Sequence, residues 1–154
     1  GSSLTIQDAQ AAEANLQNRD TPWLISDIIK NDREPASPDS PLSLSADING
    51  RSLMWDNWWC AASEGLLSGN LAVMQFDYLI NDEPLGAELG TTFSQHLQDG
   101  SVCSVTIFYI TDLPHGTHNL EYSYSVTGNI NDGYRVYGPG KYRKIYSITV
   151  DNNK

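Results

Sequence analysis

Residue-by-residue alternation of apolar and polar side chains is the feature of this sequence that most constrains its fold. In Thr117–Thr127, one alternating set of residues is mostly apolar or aromatic, and the set between them is polar. Strand side chains point to opposite faces in turn, so this pattern is typical of a half-buried β-strand. Similar segments recur along the chain, separated by turn residues. We therefore predict an all-β fold, an antiparallel β-sandwich.

The predicted strands begin after Pro41. Leu42–Ile48 alternates up to the Asn49-Gly50 turn, and Leu53–Trp59 is expected to pair back onto it. Ser101–Thr111 is apolar on both faces, which predicts a central strand that forms a hairpin with Thr117–Thr127. Two further strands are predicted at Leu71–Ile80 and Tyr142–Val150. A helical turn is expected within Ala61–Asn70, and Asn81-Asp82 is expected to turn the chain into Pro84–Glu88. The stretch Thr91–Gly100 is polar, and a long loop is expected at Gly128–Gly140.

The first forty residues have a different pattern. We predict an appendage and linker over residues 1–40 and a sandwich domain over residues 41–154. Gly1-Ser2-Ser3 resembles a protease-cleavage scar left by recombinant expression. Asn31–Pro41 contains three prolines and four charged residues and is expected to be the linker.

Two helices are predicted within this appendage. Thr5 and Asp8 fit a capping box, which favours a helix over Ile6–Asn18. Thr21 as cap and a proline at the first helical position predict a second helix over Pro22–Lys30. Its apolar stripe requires a cover, either the flank of the sandwich or a partner protein.

The net charge of the chain disfavours polyanionic partners. The chain has 9 Lys and Arg against 19 Asp and Glu, a formal net charge of −10. Such a surface repels nucleic acid and anionic membranes, so neither is expected as a partner. No apolar stretch reaches the ~20 residues that cross a bilayer. Membrane anchoring is expected only through an N-terminal lipid signal outside this sequence.

Cys60 and Cys103 are the two cysteines. Their spacing suits neither a zinc site nor a CxxC redox centre. A buried disulfide is the simplest interpretation, and two inert buried thiols of a cytoplasmic protein are the alternative.

The closing part of the chain resembles immunoglobulin-like and fibronectin-type sandwiches. The resemblance begins with the segment Leu113-Pro114-His115-Gly116-Thr117-His118-Asn119-Leu120. A long strand, a loop and a last strand that opens at Tyr142 follow this segment. In that family a tyrosine bonds back to the corner backbone, and His118 occupies the matching position. With Trp58-Trp59-Cys60 and Asn131-Asp132-Gly133, the chain is also similar to uncharacterised exported or lipid-anchored domains of bacterial surfaces. This resemblance implies an extracellular or cell-surface location, in the bacterial envelope, and supplies no catalytic residues.

The sequence gives little support for a metal or cofactor site. His96, His115 and His118 could offer imidazoles to zinc, but a spacing of three on a strand turns His115 and His118 to opposite faces. His118 is therefore expected to be a hydrogen-bonded corner residue. Asn129, Asn131 and Asp132 either begin a calcium loop or form an ordinary turn. We predict no cofactor.

Aromatic residues are the remaining functional candidates. The chain lacks a nucleophile elbow, a phosphate-binding glycine loop and a His-Glu-x-x-His helix, so we do not expect an enzyme. Exposed rings can stack on ligands, and the candidate ligand-binding residues are Trp55, Trp58, Tyr134 and Tyr137. We predict a non-catalytic binding or structural module that engages a protein partner or a cell-surface polymer. The alternative is a carbohydrate-binding module that uses these rings, and the oligomeric state is left open.

Overall fold

The computed structural model describes residues 5–6 and 23–151 of the chain. Strands dominate these residues, as predicted for an all-β sandwich-like fold. The strands are β1 (Thr5–Ile6), β2 (Trp23–Leu24), β3 (Leu42–Ile48), β4 (Leu53–Ala61), β5 (Met74–Ile80), β6 (Glu83–Pro84), β7 (Thr91–His96), β8 (Val102–Thr111), β9 (Gly116–Val126), β10 (Ile130–Asn131), β11 (Val136–Tyr137) and β12 (Gly140–Val150). The helices are α1 (Ile25–Ile28), α2 (Glu64–Ala72) and a 3₁₀ turn at Ala87–Leu89.

Two five-stranded sheets form the sandwich. The first sheet has the order β1-β8-β4-β2, and β7 also pairs with β8. The second sheet has the order β3-β12-β9-β5-β6. Strands β10 and β11 form a separate two-stranded ribbon in the long loop before β12.

Each sheet of the predicted antiparallel sandwich also contains one parallel pair of strands. Strand β2 runs parallel to β4, and β3 runs parallel to β12. Parallel neighbours need a long connection between them. Strand β3 meets this condition because it pairs with the last strand of the chain instead of with the strand that follows it.

The two predicted hairpins are therefore wrong. Leu53 and the rest of β4 pair with β8, while β3 lies in the other sheet. The turn at Asn49-Gly50, where Gly50 has a φ of 140°, carries the chain between the sheets. Strands β8 and β9 are likewise in different sheets. Strands β4 and β8 are buried on both faces, so each requires a central position, whereas β3 alternates buried and exposed residues and suits an edge.

Aromatic rings fill the space between the sheets. Trp55 lies within 5.6 Å of Phe108 and 5.9 Å of Tyr78, measured between ring centroids. Trp59 contacts Tyr124 at 5.0 Å. Rings at these separations and angles contribute packing area and favourable edge contacts. The core thus accounts for much of the aromatic content of the chain.

The N-terminal predictions need correction where the structure describes them. Ile6, expected to open a helix, lies in β1, and residues 7–18 of that predicted helix are outside the described residues. The predicted second helix shortens to Ile25–Ile28, because Trp23 and Leu24 pair with β4. Its apolar stripe packs on the core, with Ile25 and Ile29 buried. The sandwich flank is therefore a cover for this stripe.

Three other elements differ from prediction. Helix α2 extends to Ala72, and its cap Ser63 accepts a hydrogen bond from the Leu66 amide at 3.2 Å. Strand β5 consequently begins at Met74 rather than at Leu71. Strand β7 occupies part of the stretch Thr91–Gly100. It is a largely exposed edge strand, so it lacks the apolar period by which strands are recognised in sequence.

The predicted disulfide between Cys60 and Cys103 is present. The two residues face each other on β4 and β8, within one sheet. They lie on its outer face with the buried Met54 and Val105. Cys103 is fully buried but Cys60 is half-buried, so the expectation that both are buried holds for one of them. In antibody domains the corresponding bridge joins two sheets.

Removal of this bridge should lower stability because the unfolded chain gains conformational freedom. We expect the double variant Cys60→Ala, Cys103→Ala to lose about 2–4 kcal/mol of unfolding free energy in urea. Non-reducing mass spectrometry of the wild type should show the pair linked. Two alkylatable thiols in the unreduced, denatured wild type would contradict the assignment.

Candidate functional site

One side of the sandwich is closed by irregular backbone instead of a strand. Among the described residues, β2 pairs with β4 only at Leu53 and Met54. Strand β3 is the facing edge of the second sheet. Residues 29–41 connect these two edges, and a cavity of about 330 Å³ lies against them. We call it the polar cleft, lined by Ser26, Asp32, Arg33, Glu34, Asp56, Asn57, Trp58, Cys60, Tyr122, Lys144 and Tyr146.

Lys144 is the central charge of the polar cleft. It occupies an inward-facing position of β12, opposite Tyr122 on β9, and its side chain is only 8% exposed. Its Nζ lies 2.8 Å from Asp32 Oδ1 and 3.9 Å from Glu34 Oε2. A buried ammonium is tolerated only when it is paired. Lys144 therefore holds the segment that carries both carboxylates against the sandwich.

Two tyrosines anchor the same carboxylates. Tyr124 donates its hydroxyl hydrogen to Glu34 Oε1 at 2.9 Å. The Tyr146 hydroxyl lies 3.3 and 3.4 Å from the two oxygens of Asp32. Burial and the neighbouring carboxylates raise the pKa of both tyrosines far above the ordinary value. Both hydroxyls therefore stay protonated and act as donors.

Glu34 is not fully compensated by this network. Desolvation by burial raises its pKa above the ordinary value, and this effect outweighs the lowering by Lys144 and by the Tyr124 hydrogen bond. Asp32 acts in the same direction as burial, while Arg135 opposes it. The charged form of Glu34 is thus less favourable in the folded protein than in water.

Asp56 organises the other wall of the polar cleft. Its Oδ1 accepts a hydrogen bond from the Ser26 amide at 2.9 Å, which ties the start of α1 to β4. Its Oδ2 accepts from Trp58 Nε1 at 2.7 Å. The indole ring is therefore held in one orientation beside a buried carboxylate.

Asn57 has an unsatisfied oxygen in this wall. The residue is 5% exposed, and its Nδ2 lies 3.5 Å from the Trp55 carbonyl and 3.4 Å from the Thr106 carbonyl. Its Oδ1 is buried and has no hydrogen-bond donor among the described residues. Because both Nδ2 partners are acceptors, this orientation of the amide is the consistent one. Asn57 lines both the polar cleft and a second cavity of about 300 Å³, whose lining includes Trp59 and Thr106.

The four predicted ligand-binding rings do not form a platform. Trp55 and Tyr137 are 0% and 3% exposed, and the Arg135 guanidinium lies 4.2 Å from the centroid of the Tyr137 ring, so neither ring is accessible to a ligand. Tyr134 is 62% exposed, and its hydroxyl bonds to Ser101 Oγ at 2.6 Å. Trp58 is half-buried and lines the polar cleft. Trp55 shares the inward face of β4 with Trp59, as strand alternation requires, and that face is the core.

The predicted calcium oxygens are engaged in a turn. Asp132 Oδ1 accepts from the amides of Tyr134 and Arg135, both at 2.8 Å, and Asn131 Oδ1 accepts from the Gly133 amide at 2.7 Å. Asn129 is exposed. Such bonds are typical of Asx turns. Within residues 5–6 and 23–151, no group of three or more His, Cys, Asp or Glu is arranged to hold a metal ion.

The histidines lie apart from one another. His118 is 8% exposed, with Nε2 at 2.7 Å from the Pro114 carbonyl and Nδ1 at 3.0 Å from Asn81 Nδ2. Nε2 therefore donates and Nδ1 accepts, the geometry expected of a corner residue. His115 bonds to the Asp151 carbonyl at 3.1 Å, and His96 ends β7 in the other sheet. The structure does not bring the three imidazoles together.

Comparisons with known proteins add little to this geometry. No protein-family model matches the chain, and no curated protein matches it. Among solved structures, the chain is similar to a cysteine protease inhibitor from Entamoeba histolytica at 12% sequence identity and a TM-score of 0.37. The match covers 72% of this chain and 87% of that chain. A likeness at this level carries no argument about function.

In the described part of the chain, no helix is both long and apolar enough to cross a bilayer.

Sequence reasoning missed the polar cleft because its charges are far apart in sequence. Asp32 and Glu34 lie in the predicted linker, which instead bonds to the sandwich: Arg135 donates to the carbonyls of Pro35 and Ala36 at 2.8 Å. One signal was available. Lys144 falls at an inward position of the last alternating strand, where an apolar residue is expected.

Removal of the central charge should destabilise the fold. We expect Lys144→Met to lower the free energy of unfolding in urea by about 2–4 kcal/mol, because Asp32 and Glu34 then lack their shared cation. The exposed Lys141→Met on the same strand is the matched control, with an expected change under about 0.5 kcal/mol. Equal losses in both variants would show that Lys144 has no special role.

Glu34 should make stability depend on pH. Its pKa is raised on folding, so its contribution is present below the unfolded value of about 4.3 and is lost as pH rises through the folded pKa. Glu34→Gln keeps an acceptor for Tyr124 but does not titrate. The melting temperature of Glu34→Gln relative to wild type should therefore rise between about pH 4 and pH 7. A difference independent of pH would contradict this assignment.

Proposed function

We propose that this chain is a non-catalytic binding module that engages a protein partner at the polar cleft. The observation that carries the proposal is the buried ammonium of Lys144, which Asp32 and Glu34 hold at the polar cleft. Apolar residues of similar volume often replace a buried ion pair without loss of stability. Perturbed ionisable groups in a cleft are therefore candidates for a functional site.

The neighbouring edge strand supports a protein partner. Among the described residues, β3 pairs only with β12, so no described strand is paired at its other edge. Leu42 at the start of β3 is in register with Lys144, which places this edge beside the polar cleft. Extended segments commonly bind by adding a strand to such an edge. A partner paired there would bring its side chains close to the cleft.

The charged groups of the polar cleft favour binding over catalysis. Both oxygens of Asp56 accept hydrogen bonds, from Ser26 and Trp58. Asp32 and Glu34 are occupied by Lys144 and by tyrosines. General acid-base or nucleophilic catalysis needs a group positioned to exchange a proton or attack a substrate. These side chains instead hold one another in place.

The proposed setting is extracellular or on a bacterial cell surface, in an immunoglobulin-like or fibronectin-type domain. The sandwich-like fold and the Cys60–Cys103 bridge support this proposal. Disulfides persist in oxidising compartments and are rare in the cytosol.

Carbohydrate binding is the second candidate function. Trp58 lines the polar cleft beside carboxylates and the amide of Asn57. An aromatic ring flanked by polar acceptors suits a sugar, which offers both an apolar face and hydroxyl donors. One half-buried ring in a cleft supports this alternative less than a row of exposed rings would.

Capture by immobilised full-length protein tests the proposal. Wild type, the cleft double variant Asp32→Asn, Glu34→Gln and the remote Glu83→Gln should be compared on envelope extracts by quantitative mass spectrometry. Glu83 lies on β6, at the opposite edge of the sheet from β3. We expect a protein retained by wild type and Glu83→Gln to be reduced about tenfold on the cleft variant, a change of ~1.4 kcal/mol.

A glycan array should accompany the capture. Glycan binding that the cleft variant abolishes, without any cleft-dependent protein capture, would replace the protein partner with a carbohydrate ligand. Equal capture by all three proteins would overturn the proposed role of the cleft.

A further inference from the structure

The polar cleft contains more negative than positive charge. Three carboxylates line it, those of Asp32, Glu34 and Asp56, against two cations, the ammonium of Lys144 and the guanidinium of Arg33, which leaves one negative charge in excess. Arg33 is exposed at the rim and donates to the Asn31 carbonyl. The excess of carboxylates favours a cationic ligand over a neutral or anionic one.

The unpartnered oxygen of Asn57 is independent of this charge count. Asn57 lines the cleft, and its Oδ1 is buried and receives no hydrogen bond from the described residues. A buried acceptor without a donor is costly, so a ligand that supplies an N–H or O–H group there gains free energy. The ligand is therefore expected to be a donor.

The faces of aromatic rings that line the polar cleft can also attract a cation. Lys144 Nζ lies 5.8 Å from the ring centroid of Tyr146, which shows that a cation is accommodated beside this ring. Trp58 is fixed by its bond to Asp56, and indole faces attract cations more strongly than other aromatic rings. A volume of about 330 Å³ is at the small end of ligand pockets, a suitable size for one side chain.

We propose that the polar cleft binds a guanidinium or ammonium group, carried by a basic side chain of the protein partner. This inference rests on the proposed function for the source of the cation. The ligand would donate to Asn57 Oδ1, lie against Trp58 and approach Glu34, whose contact with Lys144 is 3.9 Å against 2.8 Å for Asp32. Its positive charge matches the formal net charge of −10, which attracts basic partners over a longer range.

Titration of the ¹⁵N-labelled full chain with butylguanidinium tests the cation site. The Trp58 indole and Asn57 side-chain amide resonances should shift saturably at millimolar ligand, the affinity expected for so small a molecule. Butylurea, a neutral analogue of similar shape, should shift them little. Glu34→Gln should weaken guanidinium binding about tenfold, whereas Glu83→Gln should leave it unchanged.

Three results would overturn the cation site. Equal shifts with butylurea would show that charge is not recognised. Absence of a saturable shift at Trp58, in a protein whose other resonances match the folded wild type, would show that the cleft is not a ligand site. Loss of binding in Glu83→Gln equal to that in Glu34→Gln would show that only general electrostatic attraction is at work.

A second comparison distinguishes a protein side chain from a free small molecule as the source of the cation. A short Gly- and Ser-flanked arginine peptide should bind more tightly than agmatine, a free amine with the same guanidinium, and its citrulline counterpart should not bind. Tighter binding of agmatine would keep the cation site but overturn the protein side chain as its source.

Cation binding and partner capture can fail separately. If butylguanidinium does not bind but partner capture still depends on Asp32 and Glu34, the inference fails and the proposed function stands. If butylguanidinium binds but capture is independent of the cleft, the proposed function fails and the cation site stands.

Discussion

The eleven-residue antiparallel pairing of β9 with β12 is the interaction on which the rest of the structure depends. Its register places Lys144 opposite Tyr122 and Tyr142 opposite Tyr124. Side chains alternate with a period of two, so a shift of one residue would turn every inward side chain to solvent. The aromatic residues that fill the core hold this register. The same register forces Lys144 into the interior, where its charge requires a partner.

The buried charge of Lys144 explains why one side of the sandwich is closed by irregular backbone. Asp32 and Glu34 reach inward to Lys144, and Arg135 holds the neighbouring carbonyls of Pro35 and Ala36. Upstream of these contacts, buried isoleucines pack the same segment against the core. Polar and apolar contacts together position a chain segment that has the composition of a linker. The polar cleft is the space that remains between this segment and the edge of β4.

The aromatic residues separate into two roles. Most of them pack between the sheets, where Trp55 and Trp59 contact rings of the facing sheet. Trp58 points away from that core, and its bond to Asp56 holds it at the cleft. High aromatic content therefore indicates a well-packed core more directly than it indicates a ligand surface. The position of each ring relative to the core decides whether it can contact a ligand.

The all-β class, most strand positions and the disulfide follow from the amino-acid sequence, because they depend on local alternation and on two cysteines with no other partner. Which strands pair with one another depends on the tertiary fold. The turn at Asn49-Gly50 suits either a hairpin or a crossing between sheets, and burial of β4 on both faces selects the crossing. Local sequence patterns could not predict the polar cleft either. Lys144 and Glu34 are distant in sequence, and the register of β12 and the path of residues 29–41 bring them together.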